Sequence, residues 1–407
     1  MRWLPALVAL VLLLALVPAG TQAASAEGAA AGWRVVVTLD TATLRPQKAF
    51  EAFDTASLNL YDFNGDGVME IVSNNDNNRV YVIDPRPPGR ILAELETFHY
   101  NNSRWPVREL NPVAVGELYG DGRPCMVVPN SASWLTAWCY NAGASTAERF
   151  QFDKMWERKV DAADHEPDFY ERHPWMNESN EPSTDGHAYL ADVDGDRKME
   201  VFLETDGYPG QFAFNHDGSY RWHTSFADGN AGAKVADIDG DGRKEAVFVS
   251  DAGMVTVYDA STGKVKWNFE SQKNGAKPGS VPVFPLLADL HGDGKMEIVF
   301  GARNVWPDQK DPQWINKSHA MYFALNHKGQ ILWNRTFEWG NPLLYNHPAA
   351  ADVNGDGVLD VLFLDWNTIG HKPGDWETTN RSSNLFALDG RDGSALWHKG
   401  VSVYWSN

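Results

Sequence analysis

Six segments of the chain place oxygen-bearing side chains at alternate positions around glycines. The first begins at Asp62 and reads Asp-Phe-Asn-Gly-Asp-Gly-Val-Met-Glu, so side-chain oxygens fall at positions 1, 3, 5 and 9. The backbone carbonyl at position 7, here Val68, can also turn inward. This spacing on a glycine-rich turn suits Ca²⁺, which takes about six to eight oxygen ligands, better than Mg²⁺ with its strict octahedron. No set of Cys and His residues in these segments favours zinc.

The segments differ in how complete their ligand sets are. The third carries Arg197 where glycine is usual, which strains the turn but leaves the ligands in place. The fifth has His291 at position 3, and imidazole is a poor ligand for Ca²⁺. The second, beginning at Glu117, has Tyr119 at position 3 and Cys125 at position 9, and we predict that it holds no ion. The predicted ligands are Asp62, Asn64, Asp66, Val68 and Glu70; Asp192, Asp194, Asp196, Lys198 and Glu200; Asp237, Asp239, Asp241, Arg243 and Glu245; Asp289, Asp293, Lys295 and Glu297; and Asp352, Asn354, Asp356, Val358 and Asp360, with position 7 acting through its carbonyl.

An EF-hand and a metal-free turn are the other interpretations of these segments. An EF-hand needs an acid at position 12 and a flanking helix. Position 12 is Ser, Leu or Phe in the five better segments, and strand-forming residues follow position 9, so the EF-hand is excluded. Tight Asp/Gly turns without any metal remain an open alternative. We expect the ions to be structural, because three or four acids at close range repel one another until a cation compensates them.

The acidic segments recur within a longer unit that reads as four short strands. In the unit around Asp237 the predicted strands are 231–236, 245–249, 254–259 and 264–269, all bounded by Gly, Asp and Asn turns. A four-stranded unit repeated at this period is typical of a β-propeller blade. The sequence therefore predicts an all-β propeller of four-stranded antiparallel blades, with six recognisable blades. A second signature, Gly-x-x-x-Trp, follows four of the segments, and we interpret its Trp as a packing residue between blades: Gly218 to Trp222, Gly263 to Trp267, Gly329 to Trp333 and Gly393 to Trp397.

These loops resemble the FG-GAP/VCBS repeats of integrin-α-like, calcium-binding β-propellers, and the resemblance covers most of residues 55–400. The strands with Gly-x-x-x-Trp also look like PQQ-like propeller repeats, and rhamnogalacturonan lyases use similar calcium-bearing propellers. The resemblance implies a fold and a metal. It implies no single function, because one scaffold serves adhesion, recognition and lyase chemistry.

The N-terminus has the pattern of a secretory signal. Residues 1–23 contain one Arg, a short apolar run and a small-residue cleavage site, and the run is too short for a membrane span. Residues 24–54 then form a segment whose strand at 33–39 could close the ring or belong to a seventh blade, and residues 55–407 form the propeller. Export would allow a disulfide between Cys125 and Cys139, although two buried free thiols remain an equal alternative. We expect a secreted or cell-surface protein whose mature chain does not insert into a membrane.

The net charge and the long connections between strands indicate which kinds of partner the chain could bind. Lys and Arg number 35 against 54 Asp and Glu, and the resulting charge of −19 argues against nucleic acid. Four long connections, at 97–110, 150–186, 302–318 and 365–382, are predicted on the face opposite the metal loops. They are rich in aromatic and His residues that could stack on sugar rings, bind a protein partner, or only pack the connections onto the blades. The candidate ligand-binding residues are Trp105, Trp156, His165, Tyr170, His173, Trp175, Trp306, Trp314, Trp366 and Trp376.

Catalytic signatures are mostly absent, since the sequence contains no Gly-x-Ser-x-Gly, Walker loop, Gly-x-Gly-x-x-Gly or Cys-x-x-Cys motif. The catalytic residues are therefore unknown, and whether the protein is an enzyme stays open, with the balance leaning against it. The leading hypothesis is a secreted calcium-binding propeller acting as a binding or adhesion module for a glycan or an extracellular protein. The alternative is a polysaccharide lyase of the rhamnogalacturonan-lyase type.

Overall fold

A computed structural model of the chain describes residues 59–75, 79–87, 89–96, 113–130, 134–160, 188–205, 210–224, 233–250, 253–276, 284–303, 320–337, 341–342, 348–366 and 382–402. The predicted signal at 1–23 and the segment at 24–54 lie outside these residues and stay predictions. Within the described residues no helix is long and apolar enough to cross a bilayer.

The described strands form six antiparallel sheets, each built from consecutive strands. The first three blades contain β1 (Asn59–Tyr61), β2 (Glu70–Asn75), β3 (Arg79–Asp84) and β4 (Arg90–Glu96); β5 (Ala114–Gly116), β6 (Cys125–Asn130), β7 (Trp134–Tyr140) and β8 (Phe152–Lys159); and β9 (Tyr189–Ala191), β10 (Glu200–Thr205), β11 (Gly210–Phe214) and β12 (Tyr220–Thr224). This confirms the predicted all-β propeller of four-stranded blades.

The last three blades repeat the pattern with one variation. In the sixth, two short strands, β21 and β22, both pair with β23, so the first strand position of this blade is divided in two. A single turn of 3-10 helix, Ser271–Asn274, follows the fourth blade. The strands are β13 (Ala233–Ala236), β14 (Glu245–Val249), β15 (Met254–Asp259) and β16 (Val265–Glu270); β17 (Leu286–Ala288), β18 (Glu297–Arg303), β19 (Ala320–Leu325) and β20 (Ile331–Phe337); and β21 (Asn341–Pro342), β22 (Ala349–Ala351), β23 (Asp360–Trp366), β24 (Ser382–Leu388) and β25 (Ala395–Ser402).

The hydrophobic cores lie between neighbouring blades. Side chains alternate along each strand, so Phe248 packs toward the third blade while Val247 and Val249 pack toward the fifth. Five such clusters join the six blades in chain order, from the first with the second to the fifth with the sixth. The first strands of consecutive blades also contact one another, which places them along a common inner side. One blade cannot bury both faces alone, and this stacking of neighbours supplies the missing cover.

Tryptophans connect the second, third, fourth and fifth blades each to the following blade, and the sequence predicted this role for Trp222, Trp267 and Trp333. The indole N–H of Trp222 donates to the carbonyl of Ala260 in the fourth blade at 2.8 Å. Its ring lies over Gly263, where an added Cβ would come within 2.7 Å of the ring. Gly263 has a φ of 71°, a conformation that favours glycine. The same arrangement joins Trp156 to Gly218, Trp267 to Gly329 and Trp333 to Gly393. Trp397, in the sixth blade, is 39% exposed.

One predicted connection was wrong. Residues 150–186 are predicted from the sequence as one long connection, but Phe152–Lys159 form β8. Trp156 therefore lies in a strand, and its indole donates to the carbonyl of His216 at 2.9 Å. The error arose because residue 152 is Phe, so the Gly-x-x-x-Trp signature is missing there.

The two cysteines are bonded to each other. Cys125 in β6 lies directly opposite Cys139 in β7, with 4.0 Å between their Cα atoms, and the side chains form a disulfide. Both residues are fully buried. Of the two alternatives that the sequence left open, the structure has the disulfide.

Candidate metal centres

The acidic loops connect the first and second strands of their blades, and the five loops other than the second wrap around their position-1 carboxylate. Asp237 accepts three backbone N–H bonds, from positions 4, 5 and 6, at 2.8, 3.1 and 2.8 Å. Gly240 and Gly242 take positive φ angles of 77° and 86°, which close the turn. Arg197, in the third loop, has a φ of 70° and is the one non-glycine residue with positive φ among the described residues, as its position predicted. The same three bonds form at Asp62, Asp289 and Asp352.

The position-9 carboxylate is the buried member of each loop. It begins the second strand and accepts the backbone N–H of position 2 at 2.8 to 3.0 Å in five loops. This shared bond holds the carboxylate at the same place in every loop. The five residues are 0 to 4% exposed: Glu70, Glu200, Glu245, Glu297 and Asp360.

Two of these buried carboxylates have an oxygen with no hydrogen-bond partner among the described residues. They are Glu70, whose Oε1 is unpartnered, and Asp360, whose Oδ1 is unpartnered. Burial raises the pKa of Glu70 to about 7; the Phe63 N–H opposes this shift, and the nearby Asp carboxylates add to it. Burial also raises the pKa of Asp360. A buried carboxylate oxygen without a partner is costly, and a divalent cation would relieve the cost.

In the third and fourth loops the structure brings positions 1, 3 and 9 together. One ligand atom from each residue lies within 4.8 Å of the others in the sets Asp192, Asp194, Glu200 and Asp237, Asp239, Glu245. Position 5 takes another role, since Asp241 accepts the backbone N–H of Arg243 at 2.8 Å. This bond recurs at position 5 of the first, third, fifth and sixth loops. The donors that converge are carboxylate oxygens, which fit Ca²⁺.

The second and fifth loops depart from this set, as the sequence indicated. Cys125 is held in the disulfide and has no thiolate to offer. Tyr119 instead packs edge-on against His216, with 5.7 Å between ring centroids. In the fifth loop, His291 Nδ1 lies 3.3 Å from the carboxylate of Glu297. That loop therefore has a nitrogen where the others have an oxygen.

Sequence reasoning missed two basic residues that contact both position 3 and the buried position-9 carboxylate of their loops. Lys266 lies 2.9 Å from Asp239 and 2.7 Å from Glu245, measured between charged atoms. Arg221 occupies the matching place in the third blade. Both come directly before the Trp of Gly-x-x-x-Trp, and a basic residue at that position is the signal that the sequence offers.

Most of the candidate ligand-binding residues lie outside the residues that the structure describes. Trp366 is the last residue of β23, and Trp156 lies in β8 as reported above. The others remain predictions: Trp105, His165, Tyr170, His173, Trp175, Trp306, Trp314 and Trp376.

Comparison with known proteins agrees with this geometry. Residues 237–300, which include the fourth and fifth loops, match the model of the FG-GAP-like repeat. This segment of the chain is therefore similar to an FG-GAP-like repeat. The other acidic loops of the chain follow the pattern of the matched segment. No curated protein matches the chain.

The chain was also compared with solved structures. A quinohemoprotein alcohol dehydrogenase, ADHIIG from Pseudomonas putida HK5, is 11% identical with a TM-score of 0.50, over 86% of this chain and 59% of that one. The exotype rhamnogalacturonan lyase YesX is 18% identical with a TM-score of 0.49, over 84% and 54%. BamB from Moraxella catarrhalis is 12% identical with a TM-score of 0.43, over 79% and 67%. The chain thus spans about half to two thirds of these structures, and at such identities the likeness concerns the fold alone.

Proposed function

We propose that this chain is a calcium-stabilised β-propeller that acts outside the cytoplasm as a binding module, with a glycan as its first candidate partner and an extracellular protein as its second. The proposal has three parts, which are the metal, the location and the partner.

The calcium part rests on the unpartnered Oε1 of the fully buried Glu70. Ionising a buried carboxylate without a counter-charge costs several kcal/mol, on the order of the Born penalty reduced by relaxation. A Ca²⁺ ion held by Asp62, Asn64 and Glu70 would supply that counter-charge through oxygen ligands alone. Because the unfolded chain has no such site, binding would stabilise the folded state.

The location part rests on the disulfide between Cys125 and Cys139. Disulfides persist in oxidising compartments and are rare in the cytosol. The predicted signal at residues 1–23 agrees with export.

The partner part is supported by the topology. In an antiparallel blade, the first-to-second and third-to-fourth connections lie at one end, and the remaining connections lie at the other. The predicted aromatic-rich connections leave the strands at the end opposite the acidic loops. Long connections on a rigid scaffold are the usual place for binding, and aromatic rings among Asp, Asn and Arg suit sugars.

The metal is tested by thermal unfolding of the full chain in EDTA and in excess Ca²⁺. We expect a midpoint that rises with Ca²⁺ concentration and does not respond to Mg²⁺ at the same concentrations. An unchanged midpoint would reject calcium stabilisation.

The partner is tested by binding to a glycan array in Ca²⁺, followed by incubation with acidic polysaccharides. Glycan binding without growth of ultraviolet absorbance from unsaturated uronates supports the binding module. Growth of that absorbance would replace it with the lyase. Binding to no glycan would reject the glycan as partner.

A further inference from the structure

Every blade carries a β-bulge in its fourth strand, at the residue just before the Trp position. In the fourth blade Val257 pairs with Trp267 and Tyr258 pairs with Val265, so Lys266 has no opposite residue in the ladder. A bulge of this kind re-aims the side chain of the extra residue. The residues skipped in this way in blades one to six are Leu92, Met155, Arg221, Lys266, Leu332 and Leu396.

In the fourth blade the bulge turns a cation onto the acidic loop. Lys266 Nζ lies 2.9 Å from Oδ2 of Asp239 and 2.7 Å from Oε1 of Glu245. Asp239 and Glu245 belong to the set that could hold an ion, so the ammonium already contacts two of its three carboxylates and offsets one unit of their negative charge. Glu245 Oε1 thereby has the partner that Glu70 Oε1 lacks.

In the third blade an arginine contacts the corresponding carboxylates and is also hydrogen-bonded to the neighbouring blade. Arg221 lies 3.0 Å from Asp194 and 3.4 Å from Glu200. Its guanidinium also donates to the backbone carbonyl and the hydroxyl of Ser261 in the fourth blade, at 3.0 and 3.1 Å. The cation is therefore held in place by contacts that do not depend on the loop.

In the first and sixth blades the bulge residue is leucine, which offers no charge. Here Oε1 of Glu70 and Oδ1 of Asp360 are buried and have no partner among the described residues. Leu92 instead lies in the hydrophobic core with Phe63.

The first and sixth blades do carry an arginine, but on the outer part of the loop. Arg86 contacts Asp66 and Asp84, and Arg391 contacts Asp356 in the corresponding way. Asp66 and Asp356 occupy position 5, and among the described residues no ion pair joins Arg86 to Glu70 or Arg391 to Asp360. These arginines therefore leave the buried oxygens uncompensated.

We propose that Ca²⁺ occupies the loops of the first and sixth blades, whereas Arg221 and Lys266 act as built-in cations that replace the metal in the third and fourth. The inference rests on the proposed calcium binding and adds which loops carry it. A divalent ion beside Lys266 or Arg221 would face like charge at close range and carboxylates already paired. The fifth loop, with His291 in place of an oxygen ligand, takes no ion under this scheme. The full chain should then bind two Ca²⁺ ions.

Equilibrium dialysis of the full, EDTA-stripped chain against radioactive Ca²⁺ tests the count. The wild-type chain is expected to bind two ions. Lys266→Leu, which copies the residue of the first and sixth blades, is expected to bind three. The matched control Lys264→Leu removes an exposed lysine two residues away and should stay at two. Leu396→Lys places a cation at the same position of the sixth blade, and this variant is expected to bind one Ca²⁺ ion.

The outcomes separate this inference from the function on which it rests. Four ions of equal affinity in the wild-type chain, or two ions in Lys266→Leu, would overturn the selective occupancy while leaving calcium binding intact. No Ca²⁺ bound to the wild-type chain would reject the proposed function itself. If Lys266→Leu does not fold, Leu396→Lys decides alone, because two ions bound to that variant contradict the proposal.

Discussion

Replacing Glu70 with glutamine should stabilise the metal-free protein at alkaline pH, although it removes a predicted calcium ligand. Burial raises the pKa of Glu70 to about 7 from an ordinary value of 4.5. Because the folded state holds the proton more tightly than the unfolded state, stability falls as the pH rises from about 4.5 to about 7, and it is level above that. The difference of about 2.5 in pKa corresponds to about 3 kcal/mol. Glutamine mimics the protonated acid, since it carries no charge and keeps an oxygen for the Phe63 N–H.

The assay is urea unfolding in EDTA at pH values from 4 to 9. Glu70→Gln and the wild-type chain should have similar free energies of unfolding at pH 4, and the variant should be more stable by up to about 3 kcal/mol at pH 9. Saturating Ca²⁺ should reverse that order, because only the wild-type loop offers a charged ligand at position 9. The control is Glu96→Gln, an exposed carboxylate on the same blade that should change little at any pH. Equal stabilities of Glu70→Gln and wild type at pH 9 in EDTA would refute the argument, because they would mean that the charge at Glu70 carries no burial cost.

Three further outcomes concern the propeller itself and can be measured by urea or thermal unfolding. Trp222→Ala should cost about 3–5 kcal/mol because the ring is buried between two blades, whereas Trp397→Ala, with its ring exposed, should cost under about 1 kcal/mol; similar losses would contradict the inter-blade role. Gly263→Ala should cost more than about 1 kcal/mol, since its Cβ meets the Trp222 ring and its φ is positive, and a neutral result would argue against that contact. Replacing Cys125 and Cys139 together with serine should cost about 3 kcal/mol, from the roughly 15-residue loop that the bond closes, and an unchanged midpoint would show that the bond does not form.

The sequence by itself determined the repeat, and with it most of the fold. The predicted strands 245–249 and 254–259 match β14 and β15, and the predicted strand 264–269 differs from β16 by one residue. Acidic turns and alternating strands are local signals, and their recurrence implied that neighbouring units must cover one another's faces. The sequence did not decide the disulfide. Pairing of Cys125 with Cys139 depends on the register of two strands, which local sequence does not set.

Only the tertiary structure decided which acidic loops lack a counter-charge. The loops of the first and fourth blades look equivalent in sequence, with oxygens at positions 1, 3, 5 and 9. The difference comes from a bulge about 20 residues further along, which aims Lys266 at Glu245 in one blade and places Leu92 in the core in the other. Electrostatic compensation depends on distance in space and on burial, and neither can be read from the spacing of residues along the chain.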